Sequence, residues 1–490
     1  MVRKSARNFR DSNERVQEAA LIGVNMEKRG MRRRKPNPPA PFPKREGGER
    51  RAPLRGEQHS TFDTRHSKLR YMSLFIHNAA QLVTLVGPDA ARCGAEQGAF
   101  APISGGAVFC VGERIVDAGP EGEVLKRHPE ARDAKVQIDA AGRAVIPGLV
   151  DCHAHPVFAG DRSDEYALRL AGKTYREILA AGGGILKTVR ATRAATLDEL
   201  IGGLRTRLDA ALALGTTTME AKTGYGLDET TEWKMLEAIR DVGSGEDRHP
   251  VDLVPTLLFA HAVPQGMNAD ELVAAACAAT PRLATLAEFV DVFCEKGIFS
   301  VEQSRQVLEA GRRAGLVVKV HADEMCLLGG AKLAAELGAV SADHLLFTDD
   351  ESIAAMKRAG TIAVFLPGTP FVLRVPYADA RRWIAAGVPV ALGSDFNPNC
   401  YCESLPFTFA LAVYEMKMTP AEALVAVTIN AAAAIRRARE IGSLQAGKLA
   451  DFVVLHGPSY LHLGYHIGGN PVRMVVKRGK VVAGKEYVGC

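Results

Sequence analysis

Two histidines one residue apart, His153 and His155, follow an apolar run in "PGLVDCHAHPVFAGDR". In an extended chain an i, i+2 pair presents both rings to the same side, so one ion can meet both. Three more histidines sit at the ends of similar runs: His261 after "VDLVPTLLFA", His321 in "LVVKVHAD" and His344 in "VSADHL". Asp395 ends "VPVALGSD". A histidine pair, a third imidazole and a carboxylate form an N3O donor set suited to zinc or iron, with room left for water. One histidine at a strand end is commonly a structural residue. Five of them with an aspartate in equivalent places point to a metal-assisted reaction.

Such residues need a frame that gathers strand ends. From about Val145 onward, short β-branched runs alternate with helical patterns, which is the signature of repeated β-α units. The runs are "AVIPGLVD", "TTTMEA", "VDLVPTLLFA", "FVDVFC", "LVVKVHAD", "VSADHL", "TIAVFL" and "VPVALGSD". Eight of them predict an α/β fold, a (β/α)8 TIM-like barrel over residues 145–441, with its chemistry at the C-terminal ends of the strands. Between the runs, "TLDELIGGLRTRLDAALAL" places Leu197, Leu200, Ile201, Leu204, Leu208 and Leu212 on one helical stripe. Capping-box pairs predict helix starts at Thr196/Glu199, Ser300/Gln303, Thr348/Glu351 and Thr419/Glu422, the last with Pro420 at the first helical position. Residues 72–144 and 442–490 instead read as short strands joined by glycine-containing turns. Neither flank is large enough for a comfortable core alone, so both chain ends are expected to form one small β-sandwich-like domain.

The chain has 490 residues, 47% of them apolar, and a formal charge of +5. Residues 1–70 hold 19 Lys/Arg and 8 Asp/Glu, whereas the other 420 hold 42 basic and 48 acidic groups. The positive charge therefore belongs to an Arg- and Pro-rich tail, and the body is mildly acidic. Residues 1–71 are expected to be a disordered basic extension outside the fold. Its interspersed acids suit a transit peptide poorly, and an extension foreign to the protein ahead of Met72 explains it as well. A nucleic-acid role would rest on this tail alone, and none is expected of the body. No run approaches the roughly 20 apolar residues that span a membrane. Nine scattered cysteines without a CxxC pair suggest free thiols in a reducing cytoplasm.

The order HxH, His, His and Asp resembles the amidohydrolase superfamily. "GLVDCHAHPVFAGDR", "AGGGILKTVRATRAAT", "KTGYGLD", "FAHAVP", "DVFCEKG", "HADE", "SADHL" and "GSDFNPN" resemble, in order, the hallmarks of the imidazolonepropionase family, over roughly residues 73–488. The resemblance implies hydrolysis of the cyclic amide of 4-imidazolone-5-propanoate to N-formimidoyl-L-glutamate in histidine degradation. It implies one metal ion per subunit, Zn2+ or Fe, held by His153, His155, His321 and Asp395, and it suggests a homodimer. Glu324, three residues after His321, resembles the family's catalytic glutamate. With His344 and Asp395 it makes the set from which the general base must come. The substrate's propionate calls for a cation, and Arg162 of "GDR" resembles the family's substrate arginine, with a guanidinium suited to bidentate carboxylate binding. Tyr225, His261, Asn397 and Glu324 are expected substrate contacts by the same resemblance.

The chain departs from the pattern after "DFNP". Many bacterial members there have Gly and a small hydroxyl residue, and this chain has Asn399 and Cys400. No product contact is carried over to those two positions. Gly182–Gly184 lack the Lys-Ser/Thr of a P-loop and read as a flexible loop near the barrel mouth. Other ring openers and deaminases would reuse the same barrel. Two-metal relatives usually need a carbamylated lysine ending the fourth strand, where this chain has "VDVFCE" and Lys296 only afterwards. A non-catalytic relative would be expected to lack metal ligands that this sequence retains.

Overall fold

The computed structural model describes residues 72–173, 177–178 and 182–484, so the basic extension of residues 1–71 and Cys490 lie outside the described residues. Its strands are β1 (Ser73–Ala79), β2 (Gln81–Leu82), β3 (Gly106–Val111), β4 (Arg114–Pro120), β5 (Val136–Asp139), β6 (Ala144–Pro147), β7 (Leu149–Asp151), β8 (Thr216–Lys222) and β9 (Asp252–Ala260). They continue with β10 (Phe289–Cys294), β11 (Val317–Ala322), β12 (Ser341–His344), β13 (Ile362–Phe365), β14 (Val390–Leu392), β15 (Phe452–Leu455), β16 (Val472–Lys477) and β17 (Lys480–Ala483).

β7 to β14 pair in sequence order as one parallel eight-stranded sheet, with helices between them. The two ends of that sheet meet through a parallel bridge between Ala154 and Phe396 and through the Asp395 N–H, which donates to the His153 carbonyl at 3.0 Å. Gly393 makes the approach possible. A Cβ there would lie 2.9 Å from the His153 Cβ and 3.1 Å from its backbone N. Asp151 fastens the same seam by accepting from the Ser394 N–H (3.0 Å) and hydroxyl (2.5 Å). This is the expected barrel, and its seam runs through the HxH segment.

The run "AVIPGLVD", expected as one barrel strand, is two strands of different sheets. Its first half, β6, pairs antiparallel with β15, and only β7 enters the barrel. The reason is local: Gly148 lies between them against Thr217, where a Cβ would stand 2.4 Å from the hydroxyl oxygen. β6 thereby joins a five-stranded sheet, β17-β16-β15-β6-β2, built from both chain ends. A four-stranded sheet, β4-β3-β1-β5, comes from the N-terminal flank alone. Leu74, Ile76, Val108, Ile138, Val145, Phe452, Val454 and Met474 form one apolar core shared by the two sheets. On β1 the alternate residue Phe75 packs with Phe109 and Val124 in a separate cluster, so this strand is buried on both faces.

Of the predicted stripe, helix Leu197–Ala213 buries Leu200, Leu204, Leu208 and Leu212 against the barrel, with Leu197 and Ile201 partly buried beside them. Capping boxes form at Thr196, Ser300 and Thr419. The fourth expected start is shifted by one residue: Asp349 caps helix Asp350–Ala359, and Thr348 donates instead to Asp323. Asn268 and Glu271 form a further capping box that the reading of the sequence did not name. The eight cysteines among the described residues are free thiols, and no helix among those residues is long and apolar enough to cross a membrane.

Candidate metal centre and substrate pocket

β8 and β11 carry charged or imidazole residues at alternate positions, Glu220 and Lys222, and Lys319 and His321, while β7, β10 and β12 contribute Asp151, Asp291 and Asp343, and the pleat places alternate side chains on one face. At the C-terminal end of the bore, His153 Nε2 and His155 Nε2 stand 3.3 Å apart, and His155 Nε2 and His321 Nε2 stand 3.4 Å apart. Asp395 Oδ1 lies 3.6 Å from both His153 Nε2 and His155 Nε2. Donors about 2.0–2.1 Å from a tetrahedral ion are separated by about 3.3–3.4 Å, so the His153–His155 and His155–His321 spacings match edges of such a site and those to Asp395 are slightly longer. His344 also comes within reach, its ring centroid 5.3 Å from that of His321 and 5.5 Å from that of His153.

Carboxylates stand below two of these rings, and that of Asp343 is hydrogen-bonded to His153. Asp343 Oδ2 accepts from His153 Nδ1 at 2.6 Å, and Asp291 Oδ2 lies 2.9 Å from His321 Nδ1. A proton held on Nδ1 leaves the Nε2 lone pair directed at the shared point, the arrangement by which outer carboxylates orient metal-binding imidazoles. Burial, with neighbouring Lys222 and the other imidazoles, keeps His153 well below the usual histidine range. Burial and the other imidazoles do the same for His155 and His344. Neutral imidazoles are the form a metal requires. His321 and Asp343 are register partners across β11 and β12, so strand pairing itself delivers the acid to this level.

Beneath them lies a fully buried ionic cluster. Lys222 Nζ meets Glu220 at 2.9 Å and Asp291 at 2.7 Å, while Lys319 Nζ meets Glu220 and the Cys152 carbonyl, each at 2.8 Å. Asp343 lies 3.9 Å from Lys222 and 3.7 Å from Lys319. Burial opposes the Asp291 charge, but His321 and Lys222 together outweigh it and hold the carboxyl well below its usual range. None of Glu220, Lys222, Asp291, Lys319 or Asp343 was singled out from sequence. The available signal was their alternation within "TTTMEAK", "FVDVFC", "VVKVHA" and "SADH", since an unpaired charge inside a buried strand is rare.

The expected catalytic and substrate residues gather around the same end of the bore. Glu324 Oε2 lies 3.5 Å from His344 Nε2, and burial, reinforced by Asp395 and Glu295, pushes the Glu324 carboxyl up to about 8. Asp323 (φ 50°), His344 (φ 77°) and Asp395 (φ 49°) all adopt left-handed backbone conformations, the kind of local cost that surrounding contacts must hold in place. Asp323 is held by the N–H groups of Leu328, Gly329 and Gly330. Thr369 donates to Asp395 Oδ2.

His261 stacks on His155 with centroids 5.2 Å apart, and its Nδ1 lies 3.1 Å from the Gly224 carbonyl. Burial lowers it to about 3, so the ring is neutral and Nδ1–H donates to that carbonyl. Tyr225 is buried 6.1 Å from His155 and 5.4 Å from His261, centroid to centroid. Its loop is anchored by Glu232, a residue missed in the sequence, which accepts from the Gly224, Gly226 and Leu227 N–H groups at 3.1, 2.7 and 2.9 Å. Arg162 is 8% exposed. Asn397 engages both ends of its amide within its own loop: Nδ2 donates to Asp395, and Oδ1 accepts from the Asn399 and Cys400 N–H groups.

Residues 163–483 match the Amidohydrolase family. The chain is 50% identical to the imidazolonepropionase of Symbiobacterium thermophilum over 422 residues, 84% of this chain and 98% of the relative. It is also 50% identical to the imidazolonepropionase of Haloarcula marismortui over 381 residues, 77% of this chain and 90% of the relative. Among solved structures, A. niger ochratoxinase shares the fold with a TM-score of 0.61 at 20% identity, covering 84% of this chain and 95% of that one.

Proposed function

The chain belongs to the imidazolonepropionase family of the amidohydrolases, and from that premise we propose how its site performs hydrolysis. The protein is a hydrolase of histidine degradation acting on imidazolone propionate. In that reaction the oxygen of water joins the ring carbonyl carbon of 4-imidazolone-5-propanoate, the adjacent C–N bond breaks and the nitrogen leaves with a proton. The product is N-formimidoyl-L-glutamate.

His153, His155, His321 and Asp395 would hold one metal ion, for which Zn2+ is the best match to an N3O set and iron an acceptable one. A bound ion would supply Lewis acidity, the chemistry that makes water a usable nucleophile near neutral pH. Asp395, next to that ion, takes up the proton of the attacking water. Glu324 carries a proton to the departing ring nitrogen, a task favoured by its elevated pKa. His344 Nε2, beside Glu324, steadies the carbonyl oxygen as negative charge grows on it. Arg162 binds the propionate, and Tyr225 and His261 form the wall against which the ring lies. Asn397 serves binding through its hold on Asp395. The protein works as a cytoplasmic homodimer.

The observation that carries this reading is the cluster of His153, His155 and Asp395, with donor atoms 3.3–3.6 Å apart, and His321 Nε2 3.4 Å from His155 Nε2 beside it. Purified protein incubated with 4-imidazolone-5-propanoate and followed by mass spectrometry should yield formimidoylglutamate, and His153→Ala should yield little. A metal-loaded parent that forms no product would refute the assignment of substrate.

A further inference from the structure

Helix Ser163–Leu170 starts directly after Arg162 and has two acids in its first turn. Asp164 behaves as expected of such an acid, pairing with Lys187 in solvent. Glu165 does not. It is 3% exposed and turned inward, where a carboxylate is costly unless its charge and lone pairs are met. Its Oε2 accepts from Arg162 Nε at 2.8 Å and lies 2.8 Å from Arg162 Nη2. Its Oε1 accepts the Gly184 N–H at 2.8 Å. One carboxylate therefore joins Arg162 to the glycine loop.

The loop is shaped for this contact. A Cβ on Gly183 would stand 2.9 Å from Glu165 Oε1, 2.7 Å from Ile178 Cγ2 and 3.0 Å from the Ile178 carbonyl oxygen. Only a glycine backbone passes so close above the carboxylate. With Nε and the near side of Nη2 engaged, the outer Nη1/Nη2 edge of the guanidinium is the one presented to a ligand, and that edge has the two-pronged geometry that matches a carboxylate. Arg162 is also near enough to the buried Tyr225 hydroxyl to act on it electrostatically, which places the guanidinium on the substrate side of the bore.

We propose that Glu165 is the positioning residue for recognition of the substrate's carboxylate: it fixes the orientation of Arg162 and ties that orientation to the loop at Gly182–Gly184. This rests on the reading that Arg162 receives the propionate. Glu165 touches no reacting atom, so its effect is expected in substrate affinity and in discrimination between charged and neutral tails.

The test compares 4-imidazolone-5-propanoate with its primary amide, which keeps the ring and loses the charge. The parent should favour the carboxylate. Glu165→Gln should lower the ratio of the two kcat/KM values about tenfold, the order expected when a charge-assisted hydrogen bond is lost, and should do so chiefly through KM for the carboxylate. Gly183→Ala disturbs the same link from the loop side and should move the ratio in the same direction, which keeps the test available if Glu165→Gln folds poorly. In an Arg162→Met background, Glu165→Gln should produce no further change in the ratio. An unchanged ratio in both single variants, or equal losses on the two substrates, would overturn the role of Glu165. A parent that does not distinguish the two substrates would instead refute the role given to Arg162.

Discussion

Asp343 Oδ2 accepts from His153 Nδ1 at 2.6 Å, with both side chains fully buried, so a residue that cannot reach the metal position determines which nitrogen of His153 faces it. Asp343→Asn keeps the shape but lowers the basicity delivered through the imidazole. The variant should bind metal about 10–100-fold more weakly, as outer-sphere substitutions commonly do. Competition against a chromophoric chelator measures this without reference to turnover, and an unchanged affinity would remove Asp343 from the account.

A second prediction concerns Glu324, which burial raises from an ordinary value of 4.5 to about 8. Between those two values the folded protein retains a proton that the unfolded chain has released. The stability of metal-free protein should therefore fall as pH rises from about 5 to 8. Glu324→Gln, which is neutral throughout, removes this contribution. Thermal melts at pH 5.5, 7 and 8.5 should show the variant gaining on the parent as pH rises, and parallel curves would contradict the buried, protonated carboxyl.

Lys222 provides the third. Its ammonium meets Glu220, Asp291 and Asp343, and truncation leaves Lys319 beside Glu220 and Asp343 and only His321 beside Asp291. Lys222→Met should destabilise the protein by roughly 3–5 kcal/mol, the usual cost of breaking a buried ion pair from one side. Denaturant unfolding in the presence of metal measures it. A loss below about 1 kcal/mol, the range of exposed pairs, would mean that the cluster is not organised by this lysine.

Much of this site was legible in the sequence because its chemistry sits at strand ends. HxH spacing brought His153 and His155 together, and eight apolar runs placed His321, His344 and Asp395 around one barrel mouth. The run at 144–151 misled because both halves are apolar and buried. Only packing of Gly148 against Thr217 reveals that the chain changes sheets there. Glu220, Asp291 and Lys319 escaped attention for a different reason. Asp291 looks like a lone charge in its strand, and Glu220, though it also pairs with Lys222 of its own strand, meets Lys319 about a hundred residues away. Glu165 and Glu232 resemble ordinary polar residues of a helix's first turn until their inward contacts are known. Pairing across long separations is a property of the folded barrel, not of any segment.

We propose that hydrolysis requires one ion held by His153, His155, His321 and Asp395. This requirement is tested most directly by titrating chelator-treated protein with Zn2+ while bound metal and formation of formimidoylglutamate are followed together. Both should rise in proportion and break at one ion per chain, with neither recovered in His321→Ala. Full turnover by the metal-free protein, or activity that keeps rising to a second equivalent, would contradict a single-metal centre.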